Sequence, residues 1–403
     1  MSTVGANVTV LLCREHRLVA PEWAWGQRLS EEFLREGSPT SSIVLLEGKE
    51  RFTVDEALAR TDSEFVGIVL DDVVFWDPIG WQGLCRVLDS APQVALVAPV
   101  SNEAAVAEQR AAAPFVYHTP SLFRLACHAR RQPHLGQWQE VDTVDPFAFL
   151  CRRADLVRVD PRLPLAQLPT FFSAQGWALA VTYDTYVHRY GQMYEQPRAD
   201  LQAWVPLDAQ RILDIGCATG VLGAALQERH PCHVVGIELN SALAKHAAQR
   251  LDRVLQQSVE ELPATTFTEE FDCIVCGDVL EHLRDPWTVL GKLAGWLKPQ
   301  GRFIATVPNV GHWSIASDLI HGRWDLVPFS LLCWGHLRFF TRTGVEQLVR
   351  GHGLRIEHVQ GIEETLPAVG EAFVQQVATV IPDADLASLH TSEFLIVASK
   401  EVA

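Results

Sequence analysis

Arg211-Ile212-Leu213-Asp214-Ile215-Gly216-Cys217-Ala218-Thr219-Gly220 is a short apolar run that stops at an acid and two glycines. The aliphatic residues read as a buried strand, and the glycines directly after them mark a tight turn. Val221 to Arg229 then has the composition of a helix. A strand-turn-helix of this kind is expected to turn backbone N–H groups and a helix N-terminus toward an anionic or zwitterionic ligand group. A glycine turn alone does not establish binding; the residues downstream decide it.

Downstream, Val234-Val235-Gly236-Ile237-Glu238 is a second strand ending in an acid, 24 residues (238 − 214) beyond Asp214. That interval is close to the one of about 20 that places a carboxylate on a ribose at the end of the adjacent strand. The glycine pattern is D-x-G-x-x-x-G rather than G-x-G-x-x-G, which disfavours a nicotinamide dinucleotide. Phe271 to Cys276 reads as a central strand, Trp287 to Leu297 as a helix and Arg302 to Val307 as a further strand. Leu354 to Val359 and Glu393 to Ser399 suit an antiparallel hairpin at the sheet edge.

A chain of 403 residues exceeds one ordinary core, so two domains are expected, with a boundary near Gly191. Hydrophobic content of 48% against 20% charged residues fits a globular protein with no membrane partner. A net charge of −16 argues against broad binding to a nucleic-acid backbone. The N-terminus lacks a basic lead and a long apolar core, and nine scattered cysteines suit reduced thiols, which together point to the cytoplasm. Cys273 and Cys276 form a C-x-x-C inside a strand-like run, where buried thiols are expected rather than a zinc knuckle.

The first half alternates short β-rich runs with amphipathic stretches, as an α/β layer fold does. Strands are predicted at Val8–Leu12, Ser42–Leu46, Phe65–Leu70, Val94–Pro99 and Ala178–Tyr183, and helices at Trp25–Glu36 and Gly80–Ser90. Residues 6 to 190 resemble an inverting GT-A glycosyltransferase of family two. The resemblance rests on Gly67-Ile68-Val69-Leu70-Asp71-Asp72, Gly80-Trp81, Val97 to Asn102, Pro146 to Arg153, and Val187-His188-Arg189-Tyr190-Gly191. It implies a metal at Asp71 and Asp72, with His188 as a further ligand. No carboxylate stands between Asp160 and Asp184, where the resemblance wants a general base. The first domain, residues 1–190, is therefore read as a degenerate glycosyltransferase-like domain, a platform for holding substrate or for dimerisation.

Residues 191–403 resemble a class I S-adenosylmethionine-dependent methyltransferase, in the group of the ubiquinone-biosynthesis O-methyltransferases. The motifs are Leu213 to Gly220, Gly236-Ile237-Glu238, Cys276-Gly277-Asp278-Val279-Leu280-Glu281-His282-Leu283, Leu297 to Arg302, Val307 to Val310 and His336 to Thr341. The resemblance implies a Rossmann-like seven-stranded sheet and S-adenosylmethionine as cofactor. It implies that Gly216, Cys217 and Gly220 form the cofactor turn and that Asp214 organises it. Glu238 is expected to accept the ribose hydroxyls, Leu239 to pack on adenine, and Ser258, Val259 or Glu260 to meet the adenine amine. Ala218 stands where a glycine is common, at little cost if its φ is negative. A divalent cation at Asp278, Glu281 and His282 is a further candidate, with Asp278 and Glu281 sharing a helix face.

Catalysis asks for an acceptor placed in line with the sulfonium methyl, and for a base where a proton must leave. His282 is the first candidate base, with His312, His336 and Asp278 beside it. Trp313, Trp324, Trp334, Phe339 and Phe340 are expected either to pack in the core or to form a lid over a ring-shaped acceptor. The expected reaction is O-methylation of a small metabolite, sugar, glycan or natural product, with a homodimer as candidate assembly. The rivals are a bifunctional glycosyltransferase-methyltransferase and a scaffold that binds S-adenosylmethionine without turnover.

Overall fold

The computed structural model describes residues 8–15, 42–49, 51–70, 73–76, 80–189, 193–327 and 330–401. The helix expected at Trp25–Glu36 and the acid pair Asp71-Asp72 lie outside them. The chain divides into two compact units, Met1–Gly191 and Gln192–Ala403. Among the described residues no helix is long and apolar enough to cross a membrane.

The first unit is a mixed sheet of β1 (Val8–Glu15), β2 (Ser42–Lys49), β3 (Phe65–Leu70), β4 (Val73–Trp76), β5 (Val94–Ser101), β6 (Trp138–Val141), β7 (Ala148–Arg152) and β8 (Ala178–Arg189). The order is β2-β1-β3-β7-β5-β8-β4, with β6 added on β8. The five strands predicted here all form, and helix Gly80–Ser90 packs Trp81, Leu84 and Leu88 into the core beneath them. Gly67 is small for a reason: a Cβ there would come within 2.5 Å of the Trp81 ring.

The second unit is built on β9 (Arg211–Ile215), β10 (His233–Ile237), β11 (Arg253–Leu255), β12 (Phe271–Gly277), β13 (Leu297–Pro308), β14 (Leu354–Glu363) and β15 (Thr391–Lys400). The order is β11-β10-β9-β12-β13-β15-β14, parallel except for β15, which runs antiparallel to both neighbours. Successive strand residues alternate between two apolar cores. Leu213, Ile215, Ile274, Cys276 and Phe303 face helices Pro286–Trp296 and Arg342–Arg350; Ile212, Cys273, Val275 and Ile304 face helix Val221–Arg229. Cys273 and Cys276 thus point to opposite faces, which removes any shared metal between them. All nine cysteines are free thiols.

One segment departs from expectation. The strand expected at Arg302–Val307 runs from Leu297 to Pro308. Ahead of β9 the chain forms only a single helical turn, Ala199–Gln202, which starts after Arg198 in left-handed backbone (φ 49°).

Candidate active site

The site lies at the C-terminal ends of β9, β10, β12 and β13, where open parallel sheets place ligand groups. On its first side, β9 delivers Asp214 and the glycine turn. Gly216 (φ 69°) and Gly220 (φ 82°) take left-handed backbone, and both are close-packed. A Cβ on Gly216 would meet Val279 Cγ2 at 2.6 Å, and one on Gly220 would meet Ala247 Cα at 3.1 Å. The expectation that the turn aims its N–H groups at a ligand is corrected. Gly216 N and Cys217 N both donate to the Ile237 carbonyl (2.8 and 3.2 Å), and Gly220 N donates to the Cys217 carbonyl (2.8 Å). The glycines serve shape and close approach, while Cys217 is buried below the turn.

Ala218 also takes left-handed backbone (φ 47°), so the condition of negative φ for a cheap replacement of glycine is not met. Its N–H donates to Glu238 Oε2 (3.0 Å), and Glu238 Oε1 accepts from Asn240 N (2.7 Å). Glu238 thereby ties the loop after β9 to the loop after β10. Leu239, beside it, is 69% exposed, open for an adenine ring to cover. Ser258 Oγ accepts from Glu260 N (3.2 Å), while Val259 is buried. Lys292 anchors this segment by donating to the carbonyls of Glu260 (2.6 Å) and Leu262 (2.9 Å). Asp214 is buried with Oδ2 lacking any hydrogen-bond partner. Burial, and next the Glu238 carboxylate, push it up to about 7.

The second side follows β12. Asp278 is on a left-handed turn (φ 53°), and Leu280 to His282 form a single 3-10 turn. The helix face expected to be shared by Asp278 and Glu281 is therefore absent here. Asp278 instead pairs with Arg198 Nη1 and accepts from the Thr306 hydroxyl on β13 (2.9 Å). Arg198 Nη2 also donates to Asp200 Oδ2 (2.9 Å), Thr306 Oγ1 (3.2 Å) and Glu393 Oε1 on β15 (3.1 Å). Burial, and next Asp278, push Glu393 up to about 8, with Arg198 opposing them. Arg198, Thr306 and Glu393 are site residues that the sequence motifs do not mark.

Glu281 is 1% exposed, and among the described residues neither carboxylate oxygen has a hydrogen-bond partner. Burial, and then Asp278, push it well above the usual carboxylate range. His282 and His336 stand edge to face, ring centroids 4.8 Å apart. His282 Nδ1 lies 2.9 Å from the Gly335 carbonyl and His336 Nδ1 lies 3.2 Å from the Leu331 carbonyl. A carbonyl only accepts, so each ring donates from Nδ1 and keeps Nε2 as its other nitrogen. Burial, and next His282, hold His336 down at about 4, neutral at physiological pH. Ligand atoms of Glu281, His282 and His336 all lie within 4.8 Å of one another. His336 rather than Asp278 therefore stands with Glu281 and His282 as a group that could hold a metal, while Asp278 is engaged by Arg198.

His312 is 1% exposed and caps helix Trp313–Ile320, accepting from Ser314 N (3.4 Å), a structural place rather than that of an open base. The aromatic residues do not form one lid. Trp313 and Phe340 are buried, whereas Trp324 and Phe339 are exposed and meet edge to face at 5.2 Å.

A family model described as a methyltransferase domain matches residues 166–359. The ubiquinone biosynthesis O-methyltransferase of Aeromonas salmonicida is 36% identical over 161 residues, which are 39% of this chain and 67% of that protein. The chain belongs to the S-adenosylmethionine-dependent methyltransferases. The ubiquinone biosynthesis O-methyltransferase of Xylella fastidiosa is 39% identical over 110 residues, 26% of this chain, and the chain spans 44% of that protein's length. Among solved structures, an S-adenosylmethionine-dependent methyltransferase from Mesorhizobium loti matches 50% of this chain and 96% of its own, at 19% identity and a TM-score of 0.36. For such a methyltransferase the cofactor is S-adenosylmethionine.

Proposed function

We propose that the chain transfers the methyl group of S-adenosylmethionine to an oxygen of a small metabolite or glycan bearing neighbouring hydroxyls. The S–CH3 bond breaks as the O–CH3 bond forms, the electron pair stays on sulfur, and the acceptor's proton passes to a base. Glu238 holds the ribose, Asp214 and the glycine turn shape the amino-acid end, and Leu239 with the Ser258–Val259 segment faces adenine. His282, exposed and with Nδ1 anchored on the Gly335 carbonyl, is the base of choice. The observation that carries this reading is Glu238 bridging the two loops with both carboxylate oxygens at the end of β10.

The residues also fit a divalent cation, since a buried carboxylate with two unpartnered oxygens faces two imidazoles presenting Nε2. Bound there by Glu281, His282 and His336, it would supply charge to steady acceptor oxygens, and His282, engaged as a ligand, would then not serve as the base. A panel of catechols and sugar diols, incubated with S-adenosylmethionine with and without magnesium or EDTA, tests both parts. Methyl transfer to a vicinal diol supports the reading, and turnover unaffected by EDTA removes the metal. S-adenosylmethionine binding with no transfer to any acceptor favours the scaffold.

For the first unit we propose a glycosyltransferase-like platform. What supports it is the run Gly67 to Leu70 at the end of a parallel strand and the packing of Trp81 on Gly67. Turnover of sugar nucleotides with manganese would turn the platform into a second active domain. Nine free thiols and the absence, among described residues, of a membrane-spanning helix support a cytoplasmic place.

A further inference from the structure

Three carboxylates converge on one guanidinium at the mouth of the site. Asp200, Asp278 and Glu393 all accept from Arg198, and Thr306 links Arg198 to Asp278. With all groups ionised the cluster holds an excess of two negative charges. Its side chains are partly open: 42% for Asp278 and 25% for Glu393. Two of its members, Arg198 and Asp278, keep left-handed backbone, a conformation retained outside glycine where surrounding structure and function require it.

The cluster abuts the cofactor turn. Val279, next to Asp278, fills the space beside Gly216, and the Tyr194 carbonyl, on the segment carrying Arg198, accepts from the Thr219 hydroxyl (2.9 Å). Gly277 lets that segment close down, because a Cβ there would meet Leu201 Cδ1 at 2.8 Å. Strand β15 is antiparallel, so its first residues lie at the C-terminal ends of its parallel neighbours, with Glu393 opposite Pro308.

We propose that Glu393 is a charge-selecting residue which, with Asp278, favours the sulfonium cofactor over its thioether product. The inference rests on the proposed cofactor placement. Methyl transfer leaves the S–CH3 electron pair on sulfur and removes its positive charge, so an anionic cluster that attracts S-adenosylmethionine attracts S-adenosylhomocysteine less. Glu393 adds discrimination that Asp214 and Glu238, which serve parts common to both molecules, do not provide.

The test is calorimetry on the full chain with both ligands at low salt and pH 8.5. Burial, and next Asp278, raise Glu393, so an alkaline buffer favours its ionised form; Arg198, Asp200 and Glu281 are the other titratable groups around it. Glu393→Gln is expected to weaken S-adenosylmethionine about tenfold and S-adenosylhomocysteine less than about twofold, with Glu393→Asp restoring most of the ratio. Equal losses for both ligands, or none, overturn the proposal. If Glu393→Gln does not fold, the wild-type affinity ratio decides: it falls as salt rises if the cluster selects charge, and a constant ratio overturns the idea. Failure of either ligand to bind wild type would instead overturn the cofactor placement itself.

Discussion

The two sides of the site are assembled from the chain in different ways. On the β9–β10 side, Asp214, the glycine turn and Glu238 come from one short βαβ stretch, and the acid of each strand falls at a fixed interval. On the β12–β13–β15 side, Arg198, Asp278, Thr306 and Glu393 come from four separate segments, as far apart as the 195 positions between Arg198 and Glu393. The first side is a local motif, and the second is a product of sheet order. A motif can be read from spacing, whereas a cross-sheet cluster exists only once β15 has inserted between β13 and β14.

The largest effect is expected on the local side. Glu238→Ala removes the acceptor for Ala218 N and Asn240 N along with the ribose contact, and should weaken S-adenosylmethionine by about 100-fold or more in calorimetry. An unchanged affinity would break the assignment of this side. Arg198→Met, on the other side, leaves Asp200, Asp278 and Glu393 facing one another without their shared cation. A loss of about 2 kcal/mol in urea unfolding is expected, smaller at high salt.

Asp214 sharpens the contrast through pH. Its carboxyl is raised to about 7, so the folded state keeps a proton that the unfolded chain gives up near 3.8. Between those values folded stability falls as pH rises. Asp214→Asn should therefore be more stable than wild type by about 1–3 kcal/mol at pH 8, with little gain at pH 4, while binding the cofactor less tightly. An equal effect at both pH values would show that its burial costs nothing. The smallest expected effect is Ala218→Gly, a gain of up to about 1 kcal/mol from relieving left-handed backbone, partly cancelled by the freer unfolded chain.

Legibility from sequence followed the same division. Six strands of the second unit, including the β14–β15 edge, and the helix Val221–Arg229 could be read because their apolar pattern is local, whereas the three-residue β11 was too short to show one. The partners of Gly216 N and Cys217 N could not, since their acceptor is a carbonyl at the end of another strand, Ile237. Asp278 was legible as a site residue but not as the partner of Arg198, because left-handed backbone at a non-glycine residue leaves no compositional trace. His336 joins His282 only through the loop that brings Gly335 and Leu331 against the two rings.

The place of β15 also sets a timetable for the nascent chain. Among the described residues, strand β14 pairs only with β15, which is made about 30 residues later, and the side of β13 facing away from β12 waits for the same strand. While the ribosome is still adding Thr391 to Lys400, two strand edges stand unpaired and the Arg198 cluster lacks Glu393. A chain stopped before residue 391 would keep these edges open, an aggregation-prone intermediate in which Arg198 holds Asp200 and Asp278 but not Glu393.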